Sequence, residues 1–112
     1  MALDREFLDE LLDGDREFAE ELFEAFQQAA DQWLQEARVA CSSGDAQQAS
    51  RAFHTLKGSA GSVGLTALRE LARDLEHLAR DGELASCAGR QLELEERLQE
   101  GKSLLAGYLE SL

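Results

Sequence analysis

His54, Lys57, Gly58 and Gly61 are the residues of this chain whose types and spacing could do chemistry. They stand at i, i+3, i+4 and i+7, so on a helix they stack along one face, which Gln47, Ser50 and Arg51 continue one turn upstream. A glycine inside a helix costs roughly 1 kcal/mol relative to alanine, and two on one exposed face call for a reason. Close approach of another surface supplies it. Gly58, one turn after the histidine, removes the side chain that would wall off the imidazole, and Lys57 sets a positive charge beside it. The pattern describes an accessible nucleophile with a cation ready for an anion.

The elements that must hold this face are helical. On the other side of the same stretch Ala49, Phe53, Leu56, Ala60 and Val63 form a core-facing stripe. Ser42-Ser43-Gly44-Asp45 reads as a stop followed by a start, with Gly44 at a left-handed C′ position and Asp45 as N-cap. Gly64 ends the histidine helix, and Thr66 is expected to cap the next, whose stripe is Leu68, Leu71, Ala72, Leu75, Leu78 and Ala79, closed by Arg80-Asp81-Gly82-Glu83. So short a turn forces an antiparallel hairpin. Upstream, Leu3, Phe7, Leu8, Leu11 and Leu12 mark a short first helix ended by Gly14. Asp15 then caps a long helix with a stripe at Phe18, Leu22, Ala25, Phe26, Ala29, Trp33, Ala37 and Ala40, widened by Phe23, Ala30 and Leu34. A last helix runs from about Ser86 to Leu112 with Leu94, Leu98, Leu105, Tyr108, Leu109 and Leu112 on one side, weakened by Gly89, Gly101 and Gly107, which leave its start open. The expected fold is all-α: an antiparallel four-helix bundle with a short additional N-terminal helix, residues 1–112 forming a single domain.

Composition agrees with this and excludes several functions. The chain has 112 residues and no proline, enough for one core without metal or disulfide staples. No apolar run approaches membrane-spanning length and no signal peptide opens the sequence, so a cytoplasmic protein without a membrane segment is expected. Cys41 and Cys87 lie in unrelated segments without CxxC spacing and read as free thiols. A formal charge of −12 argues against nucleic acid, whose phosphates would repel the chain. It does not argue against phosphate locally. From Ala46 to Arg69 there is no acid, while Arg51, His54, Lys57 and Arg69 fall in that window, so the histidine helix is a neutral-to-positive strip on an acidic protein. His77, flanked by Glu76 on a polar face, reads as a surface residue. No HxxxH motif or Cys/His cluster supports a metal site.

The run His54-Thr55-Leu56-Lys57-Gly58-Ser59, followed by Val63-Gly64, closely resembles the signature of histidine-containing phosphotransfer (HPt) domains, the small helical carriers of multistep phosphorelays. The resemblance covers nearly the whole chain. One departure is Phe53, where many relatives carry alanine; because Phe53 lies on the core stripe, it bears on packing rather than chemistry. The resemblance implies that His54 exchanges a phosphoryl group reversibly with aspartyl phosphates on receiver domains. Its donor would be the receiver domain of a hybrid sensor kinase, and its acceptor that of a response regulator. It also implies a monomer that carries no cofactor of its own, the Mg²⁺ coming with the receiver.

An imidazole of ordinary pKa, about 6.5, is largely neutral at cellular pH and can attack phosphorus without an activating base. Its other nitrogen needs a hydrogen-bond partner to set the tautomer, and the sequence does not name one. Lys57 would screen the phosphate as a flexible point charge. Gln47, Ser50, Arg51, Lys57, Gly58 and Gly61 would meet the partner. Thr55 and Ser59 at i and i+4 are expected to bond back to the preceding turn rather than act as nucleophiles. No ATP-binding motif or Gly-rich phosphate loop is present, so the chain would be a carrier, not an enzyme. An alternative is a helical adaptor that binds or sequesters a receiver or kinase domain without being phosphorylated. A third reading makes it the phospho-accepting segment of a larger chemotaxis-type kinase, although Met1 and an apparently complete bundle favour a stand-alone protein.

Overall fold

Three aspartates start the first three helices in the same way. In the computed structural model, which describes residues 2–112 and so leaves Met1 outside, the carboxylates of Asp4, Asp15 and Asp45 each accept the backbone N–H three residues on, from Phe7, Phe18 and Gln48, at 3.0 Å. Each bond satisfies one of the donors that a helix start leaves without a partner and places a negative charge at the positive end of the helix dipole. The helices they open are α1 (Arg5–Leu12), α2 (Arg16–Ser43) and α3 (Ala46–Ser62). Gly44 turns the chain between α2 and α3 in the left-handed region at φ 80°, as its position before Asp45 led one to expect.

Helix α4 (Thr66–Arg80) begins differently from the sequence expectation. Thr66 is its first helical residue rather than its cap, and Leu65 at the cap position supplies no side-chain bond. The start is satisfied by the N-terminal segment instead. Thr66 N–H donates to the Ala2 carbonyl (3.1 Å) and Asp4 N–H donates to the Gly64 carbonyl (2.8 Å), an antiparallel bridge that pairs Leu3 with Leu65. The chain's first residues thus clamp the turn that follows the histidine helix.

The last helix is two helices. A short α5 (Leu84–Gly89) and a long α6 (Gln91–Glu110) meet at Arg90, whose backbone (φ −106°, ψ 12°) leaves the helical region. Gly89 weakens the helix there, and the break lets α5 turn Cys87 fully inward, its thiol directed to the Leu75 carbonyl of α4. The six helices therefore comprise four long ones, α2, α3, α4 and α6, in a ring in which each packs on the next. α1 adds a short helix at one end and α5 a turn between α2 and α4. Among the described residues no helix is long and apolar enough to cross a membrane.

α3 and its C-cap Val63 present one buried face to the core. Ala49, Phe53, Leu56, Ala60 and Val63 are all fully buried, as their spacing predicts, and Ala52 joins them. On α2 the buried line combines Phe26, Ala37 and Ala40 of the expected stripe with Phe23 and Ala30, expected to widen it. Ala19, Phe23, Phe26, Ala30, Ala37 and Ala40 face the core, while Phe18 and Ala25 are exposed and Leu22 and Ala29 only half-buried. Both lines are apolar, but Phe23, Ala30 and Ala37 repeat at seven, the spacing that keeps one seam against neighbours over a helix of 28 residues. At the far end of α6 Leu112 is exposed. Cys41 and Cys87 are both free and buried, and burial pushes the Cys87 thiol up to about 11.

Candidate functional site

The antiparallel α3–α4 hairpin brings His54 opposite Glu76, and that pairing makes the site. His54 lies on the outer face of α3 with 66% of its side chain exposed, whereas the Glu76 side chain is only 2% exposed. Glu76 Oε2 stands 2.8 Å from His54 Nδ1. An ionised carboxylate can only accept, so Nδ1 carries the ring proton and Nε2 is left with its lone pair, on the side of the ring away from Glu76. Lys57 Nζ donates to the other oxygen, Oε1, at 2.8 Å, and the Arg80 guanidinium donates to Oε2 at 2.9 Å.

A buried carboxylate survives because its lone pairs are filled by charged donors. Burial pushes the Glu76 carboxyl up, but the hydrogen bonds and charges of Lys57 and His54 outweigh it and hold the group below the ordinary carboxylate value of 4.5. Glu76 is therefore ionised at neutral pH. Between the fixed charges of Lys57, Arg80 and Glu76 the cluster carries one net positive charge before the imidazole is counted.

The structure revises two expectations here. Glu76 is not on a polar face beside His77: His77 is exposed, and Glu76 points into the groove between α3 and α4. The acid-free strip of α3 thus receives a carboxylate from the neighbouring helix. Lys57, in turn, is not a loose point charge, because its ammonium is tied to Glu76 and its side chain is 26% exposed.

Around His54 the remaining sequence candidates fall into place unevenly. Gln47, Arg51 and Gly58 are exposed, while Ser50 and Gly61 are half-buried. A methyl group added to Gly58 would meet nothing within 4 Å, so the surface one turn after the histidine is open. Gly61 is not open in this way; the Arg69 side chain lies over it, with Cδ 3.3 Å from where a Cβ would sit. Thr55 Oγ1 donates to the Arg51 carbonyl (3.1 Å), the back-bond expected of it. The Ser59 carbonyl accepts from Ser62 Oγ, a back-bond of the same kind one turn further on.

Sequence reasoning missed Glu76 and Arg80. A trace of Glu76 was present, because Leu68, Ala72 and Glu76 stand at i, i+4 and i+8, so the acid continues a buried row of α4. Arg80 is one turn further along that row and reaches back to Glu76. Together these side chains make an exposed fixed-tautomer imidazole with positive charge beneath it, suited to accept and hold an anionic group at Nε2.

The family model of the Hpt domain matches residues 21–103. This chain belongs to the Hpt family. Its role is therefore phosphotransfer within phosphorelays, and His54 is the histidine of the family-like run quoted above. Among solved structures, histidine-containing phosphotransfer protein B (HptB) from Pseudomonas aeruginosa PAO1 is similar over 99% of this chain and 96% of its own, with a TM-score of 0.89 and 23% sequence identity. That likeness establishes the Hpt-like helical fold. No curated protein matches the chain.

Proposed function

We propose that this Hpt protein is a phosphorelay intermediate: His54 accepts a phosphoryl group from the receiver-domain aspartate of a hybrid sensor kinase and passes it to the receiver of a response regulator. The observation that carries the proposal is the Nδ1–Glu76 bond at 2.8 Å, which leaves Nε2 as an exposed nucleophile. In the accepting step the Nε2 lone pair attacks phosphorus, the N–P bond forms, and the P–O bond to aspartate breaks with its electron pair returning to the carboxylate. The ring becomes positively charged while Nδ1–H stays on Glu76, and that charge-assisted bond strengthens as the charge develops. In the donating step a carboxylate oxygen of the next aspartate attacks phosphorus, the N–P bond breaks with its electron pair returning to Nε2, and a neutral imidazole is left behind.

Positioning and charge neutralisation are most of what phosphoryl transfer needs. Here the His54 side chain is largely exposed, which fits a partner that surrounds the histidine with its own pocket and brings the Mg²⁺. Gln47, Ser50, Arg51, Lys57, Gly58 and Gly61 are the proposed contacts, with Gly58 the point of closest approach and Gly61 approached across the Arg69 side chain.

The test is to incubate the purified protein with phosphorylated receiver domains and look for acid-labile, base-stable phosphate. Wild type should become labelled and His54→Gln should not, while circular dichroism and receiver binding stay nearly unchanged. Receivers that bind without labelling the wild type would favour an adaptor role instead.

A further inference from the structure

Arg80 reaches the site from α4, the element that sequence reasoning assigned no part in the chemistry. Its side chain is 63% exposed, yet its guanidinium is turned back onto Glu76 Oε2, the same oxygen that accepts from His54 Nδ1. Lys57 on Oε1 already neutralises the carboxylate. Arg80 is therefore the charge that takes the cluster from neutral to positive, and it does so on the oxygen the imidazole uses.

This has a chemical consequence. A carboxylate bonded to Nδ1–H stabilises the doubly protonated ring, in which Nε2 carries a proton and is no longer a nucleophile. A second strong donor on the same oxygen withdraws part of that stabilisation. We propose that Arg80 is a positioning residue of the phosphoryl-accepting site: by sharing Glu76 Oε2 with His54 it lets the carboxylate set the tautomer without drawing a second proton onto the ring, and so keeps Nε2 free near neutral pH. The inference rests on the relay reading for its purpose, although the effect on the ring is a property of the free protein. The charged groups bonded within the cluster come from α3 (His54, Lys57) and α4 (Glu76, Arg80). The ion pairs of the α2 and α6 residues lie elsewhere, Arg38 with Glu95 and Asp31 with Lys102 among them.

The experiment is an NMR pH titration of the His54 ring in the unphosphorylated protein, comparing wild type with Arg80→Gln and Arg80→Lys, each also in a Glu76→Gln background. Arg80→Gln should raise the proton affinity of the His54 ring about tenfold: direct repulsion by a unit charge about 6 Å away in a water-like dielectric accounts for about threefold, and the rest is carried by the shared Glu76 oxygen. Arg80→Lys should restore most of the wild-type value. With Glu76 replaced, the effect of Arg80→Gln should shrink to less than half, as expected of a residue acting through the carboxylate. An unchanged titration in Arg80→Gln, or an equal shift with and without Glu76, overturns the inference. Because no receiver enters the measurement, failure of His54 to become labelled would sink the relay reading and leave this result standing.

Discussion

At the scale of single residues, Glu76 is the hinge between stability and chemistry. Its folded pKa lies below its ordinary value, so it binds its proton more weakly in the folded state than in the unfolded one. The stabilisation it contributes is therefore complete above about pH 4.5 and is lost as the pH falls through the lower folded value. Glu76→Gln should cost roughly 1–3 kcal/mol at pH 7, since Lys57 and Arg80 would then face an amide in place of an anion. Urea unfolding of both proteins at several pH values should show that difference shrinking on acidification. The same variant should slow labelling of His54, because an amide oxygen supports the positive ring less well than a carboxylate does.

At the scale of the helix, two glycines of similar helical setting should respond in opposite ways. Gly58 lies within α3 with open space where a Cβ would point, so Gly58→Ala should stabilise the fold by up to about 1 kcal/mol. Gly101 lies within α6 against the buried Leu65, and an added Cβ would stand 2.8 Å from Leu65 Cδ1. There the helix-propensity gain is offset by displaced core packing, typically about 1–3 kcal/mol, so Gly101→Ala should be neutral to destabilising. Thermal unfolding of the two variants checks the contrast. A larger change at the first glycine separates folding from docking: Gly58→Glu should fold as well as wild type but exchange phosphate poorly with receivers. Unimpaired exchange in that variant would remove the argument for close approach.

At the scale of the molecule, the far end of the bundle is closed by Tyr108 of α6. Its ring packs edge-on against Phe23, Arg5 lies over it at 5.1 Å, and its hydroxyl donates to Asp9 at 2.6 Å. Burial, then the Asp9 bond and charge, push its pKa up to about 12 from an ordinary 10. A raised value means the folded state holds the proton more tightly, so this contribution is intact below about pH 10 and declines as the pH rises towards 12. Denaturation followed over pH 9–12 should show the wild type losing stability, and Tyr108→Phe should lose less over the same range from a lower starting point.

The helices and the exposed histidine face were legible in the sequence because both rest on local patterns. Aspartate caps, the stripe Ala49–Phe53–Leu56–Ala60–Val63 and the His54-Lys57-Gly58 face are properties of one turn and the next, and periodicity reports them directly. What escaped depends on which turn of one helix meets which turn of another. The register of the α3–α4 hairpin places Glu76, one of the chain's many acids, under His54, and nothing within α4 alone marks it as buried apart from its place in the row Leu68–Ala72–Glu76. The choice between two apolar lines on α2, the split at Arg90 and the capping of α4 by Ala2 are likewise settled by neighbours. The sequence by itself determined a helical bundle carrying an exposed histidine beside a lysine and a glycine. Only the tertiary structure decided which ring nitrogen is free, because the proton on Nδ1 is held by a carboxylate that another helix delivers.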